Sequence, residues 1–417
     1  MILTSLMRIA LTRSLRPFVF DNVNDKQMAL EGMDGLGLYV HIPFCRELCS
    51  FCPYCKVPYD VDLATSYKSA LLKEIDLVGK GINGVRRATS LYFGGGTPAL
   101  MAEDLPEIIT RLKRYFEITG GVGVEIHPQD IDEVTLHRLR AAGVSMVSVG
   151  VQSFDKSCLA SLGRTWEPLE DKLKLVSDQG FDVIDVDLIF ALPGQTRDTL
   201  TSDINLAFQN GATQVSTYPF IDFTFARNAF QPISARAKRK MLRILHDQCK
   251  GNNLERTSVW TFAKKGTGKY SSVTRDYFLG FGVSATSLLK DTFKINTFSI
   301  EEYRKRVYEE SLPTALTLRF TKRQRAVYFL FWSAYSLRID PNRFESIIGI
   351  PMQEMFGFEF LLAEKLGFLR KDAAGYELTE RAATLYHDIE QVYTRAYIDA
   401  MWSTLRLRAF PEKLTLS

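Results

Sequence analysis

Four closely spaced cysteines are the residues of this sequence best suited to chemistry. Cys45, Cys49, Cys52 and Cys55 fall within eleven residues. Such clustering in a large chain without a secretory signal indicates a reducing compartment, where thiolates bind metal rather than form disulfides. The first three cysteines have the spacing C-x3-C-x2-C, which can ligate three irons of a [4Fe–4S] cube and leave the fourth iron open. Chemistry could then begin at that open iron.

Two other metal sites use the same cysteines and stay open from the sequence alone. A closed zinc site usually pairs two separated C-x2-C units, whereas all four cysteines here share one short loop. A closed, electron-transfer cluster would also use Cys55, because Cys49, Cys52 and Cys55 repeat as C-x2-C-x2-C. The role of Cys55 therefore decides between an open and a closed cluster.

The cysteine loop follows the first of six short β-branched or aromatic segments that alternate with helix-period stretches. This alternation predicts repeated βα units, a parallel sheet and an α/β fold. The predicted strands are residues 38–42, 90–93, 122–126, 146–150, 183–190 and 214–218. The predicted helices between them are residues 63–77, 105–116, 133–142 and 166–179. The amphipathic period of these helices suits packing on the outside of a barrel.

Polar residues and glycines recur at or near the carboxyl ends of these strands, where the mouth of a barrel would lie. They are Tyr39, Gly94 to Thr97, Glu125, Gln152, Asp187 and Tyr218. The glycines allow close backbone approach to the amino and carboxylate groups of a ligand. Glu125 could accept a hydrogen bond from a ribose or an ammonium group, and His41 is expected to orient the cysteine loop.

The pattern divides the chain into three parts. Residues 1–36 contain an amphipathic segment, residues 37–300 the barrel, and residues 301–417 a helix-rich, winged-helix-like domain. A last long helix is predicted over residues 380–405. A loop-rich stretch before Gly280 could cover the mouth with aromatic side chains. These side chains are Trp260, Phe262, Tyr270 and Tyr277.

Charge and hydropathy exclude several classes of protein. The chain has 52 basic and 48 acidic residues, so the net charge of +4 gives no electrostatic case for nucleic-acid binding. No window supplies the roughly twenty apolar residues of a spanning helix. Residues 1–18 are basic and amphipathic, which predicts either a helix docked on the body or peripheral membrane contact. A cytoplasmic protein, with membrane association as an alternative, is expected.

An ordered set of motifs resembles the radical S-adenosylmethionine enzymes, and within them the oxygen-independent coproporphyrinogen III oxidase family. The set is YVHIPFC before the cysteines, FGGGTP at 93–98, EIHP at 125–128, SVGVQSF at 148–154, DLIFALPGQ at 187–195 and GFGVSAT at 280–286. The resemblance implies a partial (β/α)6 barrel. It also implies a [4Fe–4S] cluster on Cys45, Cys49 and Cys52 that cleaves S-adenosylmethionine to a 5'-deoxyadenosyl radical.

The resemblance also implies roles for individual residues. Tyr39, Gly95 and Glu125 fall at positions that contact the cleaved S-adenosylmethionine, and Tyr39, Glu125 and Cys55 are the predicted catalytic residues. Two bound S-adenosylmethionine molecules are expected. Positions that fit the second molecule or the cofactor site more generally are Gly96, Thr97, Gln152, Arg164, Asp187 and Thr286.

Departures from the oxidase pattern decide the predicted reaction. Pro53 and Tyr54 separate Cys52 from Cys55, where the oxidase has a single residue between its third and fourth cysteines. We therefore expect a methyltransferase that modifies an sp2 carbon of an aromatic acceptor, such as a menaquinone-type lipid quinone. Oxidative decarboxylation of coproporphyrinogen III and haem delivery are the alternatives. A flavodoxin or ferredoxin is the expected electron donor.

Overall fold

The computed structural model describes residues 2–23, 27–33, 35–165, 167–226, 228, 230–268 and 276–417, without the side chains of residues 2 and 3. The strands are β1 (Phe18–Asp21), β2 (Leu36–Ile42), β3 (Phe44–Cys45), β4 (Val57–Pro58), β5 (Arg86–Gly95), β6 (Phe116–Ile118), β7 (Val122–Ile126), β8 (Met146–Gln152), β9 (Val183–Phe190), β10 (Gln214–Pro219), β11 (Glu255–Arg256), β12 (Thr261–Ala263), β13 (Phe278–Phe281), β14 (Thr286–Leu288), β15 (Thr292–Asn296), β16 (Thr314–Arg319), β17 (Arg338–Ile339), β18 (Leu369–Asp372), β19 (Gly375–Leu378) and β20 (Lys413–Leu416).

Helices alternate with these strands along most of the chain. They are α1 (Ile2–Thr12), α2 (Val61–Gly79), α3 (Leu105–Leu112), α4 (Glu133–Ala141), α5 (Lys156–Ser161), α6 (Leu169–Asp178), α7 (Arg197–Gln209), α8 (Ala235–Gly251), α9 (Ile300–Tyr308), α10 (Lys322–Tyr335), α11 (Pro341–Ile348), α12 (Met352–Lys365), α13 (Glu380–Tyr393) and α14 (Asp399–Leu407).

Six parallel strands form the core of the molecule in the order β2, β5, β7, β8, β9, β10, which confirms the predicted α/β fold with a partial (β/α)6 barrel. All six predicted strands lie within these elements. The strands are buried on both faces, as β9 shows with seven of its eight residues buried, because helices cover the outside. Side-chain caps begin the helices that follow, such as Asp60 at α2 and Thr196 at α7.

The barrel stays open because its two edge strands continue into other strands. β13 adds to β2 in parallel, and β14, β15 and β16 follow antiparallel to one another. At the other edge β12 runs antiparallel to β10. The expected boundary near residue 300 falls at α9, after which β16 rejoins the same sheet.

The carboxyl-terminal part contains the arrangement of a winged helix. α10, β17, α11, α12 and the β18–β19 hairpin follow in that order, and β19 lies between β17 and β18. The single long helix expected over 380–405 is divided into α13 and α14 by a π-helical turn, Thr394–Ile398. Such turns widen a helix locally and occur often at functional sites.

The amino-terminal segment is docked on this body. β1 pairs with β16 and β20, and Arg323 donates a hydrogen bond from Nε to the Leu11 carbonyl on α1 (2.8 Å). Leu6 and Leu15 are exposed. None of the described helices is both long enough and apolar enough to cross a bilayer.

The segment expected to cover the mouth lies mostly elsewhere. β12 runs antiparallel to β10, away from the mouth, so Gly268 lies near the amino ends of the parallel strands. Asp276 lies at the same end, just before β13 begins. Phe262 and Tyr277 are buried in the core, and Tyr270 lies outside the described residues. Of the four aromatic residues, Trp260 alone is described near the mouth, with its ring 6.2 Å from that of Tyr218.

Candidate active site

The cysteine loop leaves β3 at Cys45 and returns through β4, which pairs with β3 in parallel. Lys56 holds the loop together, because its Nζ donates to the carbonyl oxygens of Cys49 (2.8 Å) and Cys52 (2.7 Å). His41 fixes the end of the loop, since its Nε2 lies 2.8 Å from the Cys55 carbonyl oxygen. The predicted orienting role of His41 is thus confirmed.

Three of the four loop cysteines share one environment. Cys45, Cys49 and Cys52 are free and half-buried. The Thr97 hydroxyl lies 3.9 Å from the Cys45 sulfur, and Arg164 donates from Nε to the Cys49 sulfur at 3.3 Å. Burial and the neighbouring thiols of Cys52 and Cys49 raise the pKa of Cys45 to about 12. Thiolates gathered here therefore need added positive charge, which bound iron supplies.

Cys55 is withdrawn from that environment. Its side chain is buried, and its thiol donates to the Phe298 carbonyl at 3.3 Å. Burial raises its pKa to about 11. The donor set thus fits a cluster with three thiolate ligands and one open iron, rather than one closed by Cys55.

No group of three or more described His, Cys, Asp or Glu side chains has the geometry to hold a single metal ion. The cysteines of a [4Fe–4S] cube bind different irons, so they do not have to converge on one point.

Glu125, near the end of β7, is held by hydrogen bonds from two residues of the neighbouring strand β5. Tyr92 donates from its hydroxyl to Oε1 (2.8 Å), and the Gly95 amide donates to Oε2 (3.0 Å). Burial raises the pKa of Glu125. The residue as a whole is half-buried.

The glycines beside Glu125 are required because there is no space for a side chain at their positions. Gly95 has φ +121°, and a Cβ there would lie 2.6 Å from the His41 ring. At Gly96 a Cβ would meet the Phe44 carbonyl at 2.5 Å, because the Gly96 and Thr97 amides donate to Ile42 and Phe44. Only glycine allows this backbone to pass so close to the cysteine loop.

Tyr39 and Asp187 lie deeper than the strand ends at which the sequence analysis placed them. Tyr39 is the fourth of seven residues of β2, and its hydroxyl lies 3.0 Å from His41 Nδ1. Asp187 is the fifth of eight residues of β9 and accepts from the Ser148 hydroxyl at 2.8 Å. Burial and the neighbouring Asp185 carboxylate raise the pKa of Asp187. The interior of the barrel is therefore polar.

Of the remaining predicted residues, Gln152 and Arg164 lie close to the site and Thr286 lies farther away. Gln152 ends β8 in the left-handed region (φ 69°), at an irregularity in the pairing with β9. Arg164 donates to the Gly150 carbonyl and to Cys49, which places it between that strand and the cysteine loop. Thr286 begins β14, two strands beyond β2, and no described side-chain hydrogen bond joins it to the mouth.

Sequence reasoning missed several groups that the fold brings to the mouth. Asp185 is buried under Asp187, accepts from the Ser216 hydroxyl (2.8 Å) and has a pKa raised to about 6 by burial. Its alternation with Asp187 along β9 was a usable signal, because residues two apart face the same side of a strand. Tyr54 and Arg406 carried no such signal in the sequence, since only the fold brings these two distant residues close to each other.

Comparisons with known proteins agree with this site. The sequence family described as the Radical SAM superfamily matches residues 39–207. The chain is 25% identical to the heme chaperone HemW of Bacillus subtilis over 84% of this chain and 97% of that protein. It is 26% identical to the oxygen-independent coproporphyrinogen III oxidase of Pseudomonas aeruginosa over 90% of this chain and 89% of that protein.

A solved structure shows the same fold. Coproporphyrinogen III oxidase (HemN) from Escherichia coli superposes with a TM-score of 0.71 at 20% identity, covering 93% of this chain and 98% of that one. The match to the Radical SAM superfamily agrees with the expected [4Fe–4S] cluster and S-adenosylmethionine as cofactors.

Proposed function

Because the chain belongs to the HemN-like radical S-adenosylmethionine family, we propose that it is an oxidase-type enzyme acting on a carboxylate-bearing tetrapyrrole of the coproporphyrinogen III class. The observation that carries this proposal is the arrangement at the mouth. Three half-buried thiols lie on one loop, next to a glycine turn and the half-buried carboxylate of Glu125. These are the parts of a cofactor-activating site rather than of a simple binding surface.

The residues of the chain have distinct tasks in this proposal. Cys45, Cys49 and Cys52 would hold the cluster, which when bound supplies the electron that cleaves S-adenosylmethionine to methionine and a hydrogen-abstracting radical. Gly95 and Gly96 let the turn pass against His41 and Phe44 and so position Glu125, which would accept a hydrogen bond from the ammonium or ribose of the cofactor.

A second S-adenosylmethionine remains part of the proposal. Gly96, Thr97, Gln152, Arg164 and Asp187 were assigned to it by resemblance. Arg164 and Asp187 supply a cation and a carboxylate that act on each other electrostatically, which suits a zwitterionic amino acid group. Thr286 is the weakest member of the predicted set because it lies on β14.

Methyl transfer to a quinone, the reaction favoured from the sequence, has less support than its alternatives. The Bacillus subtilis relative is named a heme chaperone and the Pseudomonas aeruginosa relative an oxygen-independent coproporphyrinogen III oxidase. The reason for preferring methyl transfer was the Pro53–Tyr54 spacing, but the fold accounts for that spacing without a change of reaction. It lets Tyr54 stay half exposed while Cys55 turns into the core.

Haem delivery is the second candidate, since the Bacillus subtilis relative is a haem chaperone that aligns over 97% of its length. Both candidates share a tetrapyrrole. Anaerobic, reconstituted protein with reductant, S-adenosylmethionine and coproporphyrinogen III should release carbon dioxide together with 5'-deoxyadenosine. Cys52→Ala is the matched control and should release neither.

Two other outcomes would overturn the oxidase proposal. Stoichiometric haem binding without carbon dioxide release would favour delivery. Formation of S-adenosylhomocysteine with a methylated product would favour methyl transfer. A flavodoxin or ferredoxin as electron donor can be tested in the same assay by replacing the chemical reductant.

A further inference from the structure

Helix α14 lies beside the cysteine loop, although some 350 residues separate them in sequence. Its first residue, Asp399, accepts hydrogen bonds from the Thr224 amide (3.2 Å) and hydroxyl (2.9 Å). Thr224 follows β10 at the mouth end of the barrel. One turn later, Trp402 stacks on Phe223 with ring centroids 5.9 Å apart and an interplanar angle of 15°. The helix is therefore fixed to the rim of the mouth.

The same helix contacts the loop between Cys52 and Cys55. The ring of Trp402 lies 5.9 Å from that of Tyr54, and Arg406 donates from Nη2 to the Pro53 carbonyl. Tyr54 nevertheless keeps 50% of its surface accessible. Tyr54 thus lies against α14 with half of its surface free.

Arg406 brings a positive charge to this place. Its guanidinium lies 4.4 Å from the ring centroid of Phe225 and 5.4 Å from that of Phe298. It is exposed and forms no ion pair with any described residue. A guanidinium flanked by aromatic rings can bind a carboxylate through two parallel hydrogen bonds.

We propose that Tyr54, Trp402 and Arg406 form a substrate-binding wall that positions a flat, carboxylate-bearing substrate against the cysteine loop. The two rings offer apolar, planar contact, and Arg406 pairs with one carboxylate at the edge of the substrate. The wall joins residue 54 of the loop to the carboxyl-terminal helix, so the helix determines substrate specificity. This inference rests on the proposed function because it takes its substrate from the tetrapyrrole class.

The test compares two arginines of the same helix end. Arg408 is exposed like Arg406 but makes no described side-chain contact with the loop. Binding of coproporphyrin III, a stable analogue, is measured by absorbance titration for wild type, Arg406→Gln, Arg406→Lys and Arg408→Gln. Arg406→Gln should raise the Kd about 10- to 100-fold, in keeping with the loss of one charged hydrogen-bonded pair. Arg406→Lys should recover part of that loss, and Arg408→Gln should leave the Kd unchanged.

A second measurement separates binding from support of the loop. Iron content and the visible absorbance of the reconstituted cluster should be the same in wild type and Arg406→Gln. Loss of iron in that variant would show that Arg406 acts by holding the loop, and it would overturn the inference. An equal change in Arg408→Gln would overturn it as well, because a general charge effect would then be sufficient.

The wall and the proposed function fail in different ways. If wild-type protein binds no tetrapyrrole, the proposed function fails and takes the wall with it. If wild type binds but Arg406→Gln and Trp402→Ala bind equally well, the wall is refuted while the proposed function stands. Trp402→Phe keeps a ring at this position and should bind more tightly than Trp402→Ala.

Discussion

Two glutamates of this protein accept hydrogen bonds from the same kinds of group but lie in different places. Glu125, at the mouth, accepts from the Tyr92 hydroxyl and the Gly95 amide. Glu74, on α2, accepts from the Tyr303 hydroxyl (2.6 Å) and the Gly282 amide (2.7 Å). Glu74 also accepts from Asn296 Nδ2 (2.9 Å) and is 1% exposed.

The two glutamates differ in how accessible their carboxylates are. Protein groups surround the Glu74 carboxylate completely, and their hydrogen bonds join α2 to the end of β13, to β15 and to α9. Glu125 is held as firmly on one side but remains half-buried, with a glycine turn and the thiols beside it. The same hydrogen-bonding pattern thus serves structure where it is closed and ligand binding where it is open.

Removing the sealed glutamate should have the largest effect on stability. Glu74→Ala leaves an amide, a hydroxyl and a side-chain amide unpaired in the core, which should cost about 3–5 kcal/mol in the free energy of unfolding. Chemical denaturation measures this cost. Glu125→Ala is the matched variant and should lose much less, because water can reach its former partners. Equal losses would contradict the distinction.

The same contrast should appear in the pH dependence of stability. Burial raises the pKa of Glu74 from 4.5 to about 7. Its folded-state pKa is above its unfolded value, so its contribution is full below pH 4.5 and is lost as the pH rises toward 7. Over that range the contribution should amount to about 3 kcal/mol.

Denaturation of wild type and Glu74→Gln at several pH values tests this slope. The variant carries no titrating group at position 74, so the difference in unfolding free energy between the two proteins should change with pH between 4.5 and 7. A difference independent of pH would show that Glu74 keeps an ordinary pKa in the folded protein.

Substitution of Glu125 should change a free energy less than substitution of Glu74 does, but it should have the clearer effect on function. Glu125→Gln removes the charge that attracts an ammonium group, so S-adenosylmethionine affinity should fall by about 10- to 100-fold, or about 1.4–2.7 kcal/mol. Equilibrium dialysis on reconstituted protein measures it. Glu74→Gln, assayed at a temperature where it is folded, should keep wild-type affinity; loss of affinity there would break the comparison.

Much of this site could be predicted because strand periodicity and motif order report directly on a parallel sheet. The six strands and the residues near their carboxyl ends followed from alternating patterns, and Glu125 and Gly95 indeed meet. Tyr39 and Asp187 were placed too near the rim, although the predicted strands 38–42 and 183–190 end where β2 and β9 end and already put both residues inside them.

Other features depend on contacts between distant segments and could not be predicted. The environment of Cys55 depends on Phe298, and that of Tyr54 on Trp402. The expected aromatic cover was misplaced because β12 reverses direction after β10, and nothing local to residues 264–276 indicates that reversal. The break at Thr394 is likewise invisible in the helical period of residues 380–405.

The central claim is that Cys45, Cys49 and Cys52 hold a cluster with one open iron while Cys55 stays in the core. Electron paramagnetic resonance of the reduced, reconstituted protein tests it directly, with and without S-adenosylmethionine. Wild type and Cys55→Ala should both show a [4Fe–4S]⁺ signal that changes when S-adenosylmethionine is added, and Cys52→Ala should show no such cofactor-responsive signal. A signal that does not respond to S-adenosylmethionine in wild type, or that is lost in Cys55→Ala, would contradict the claim.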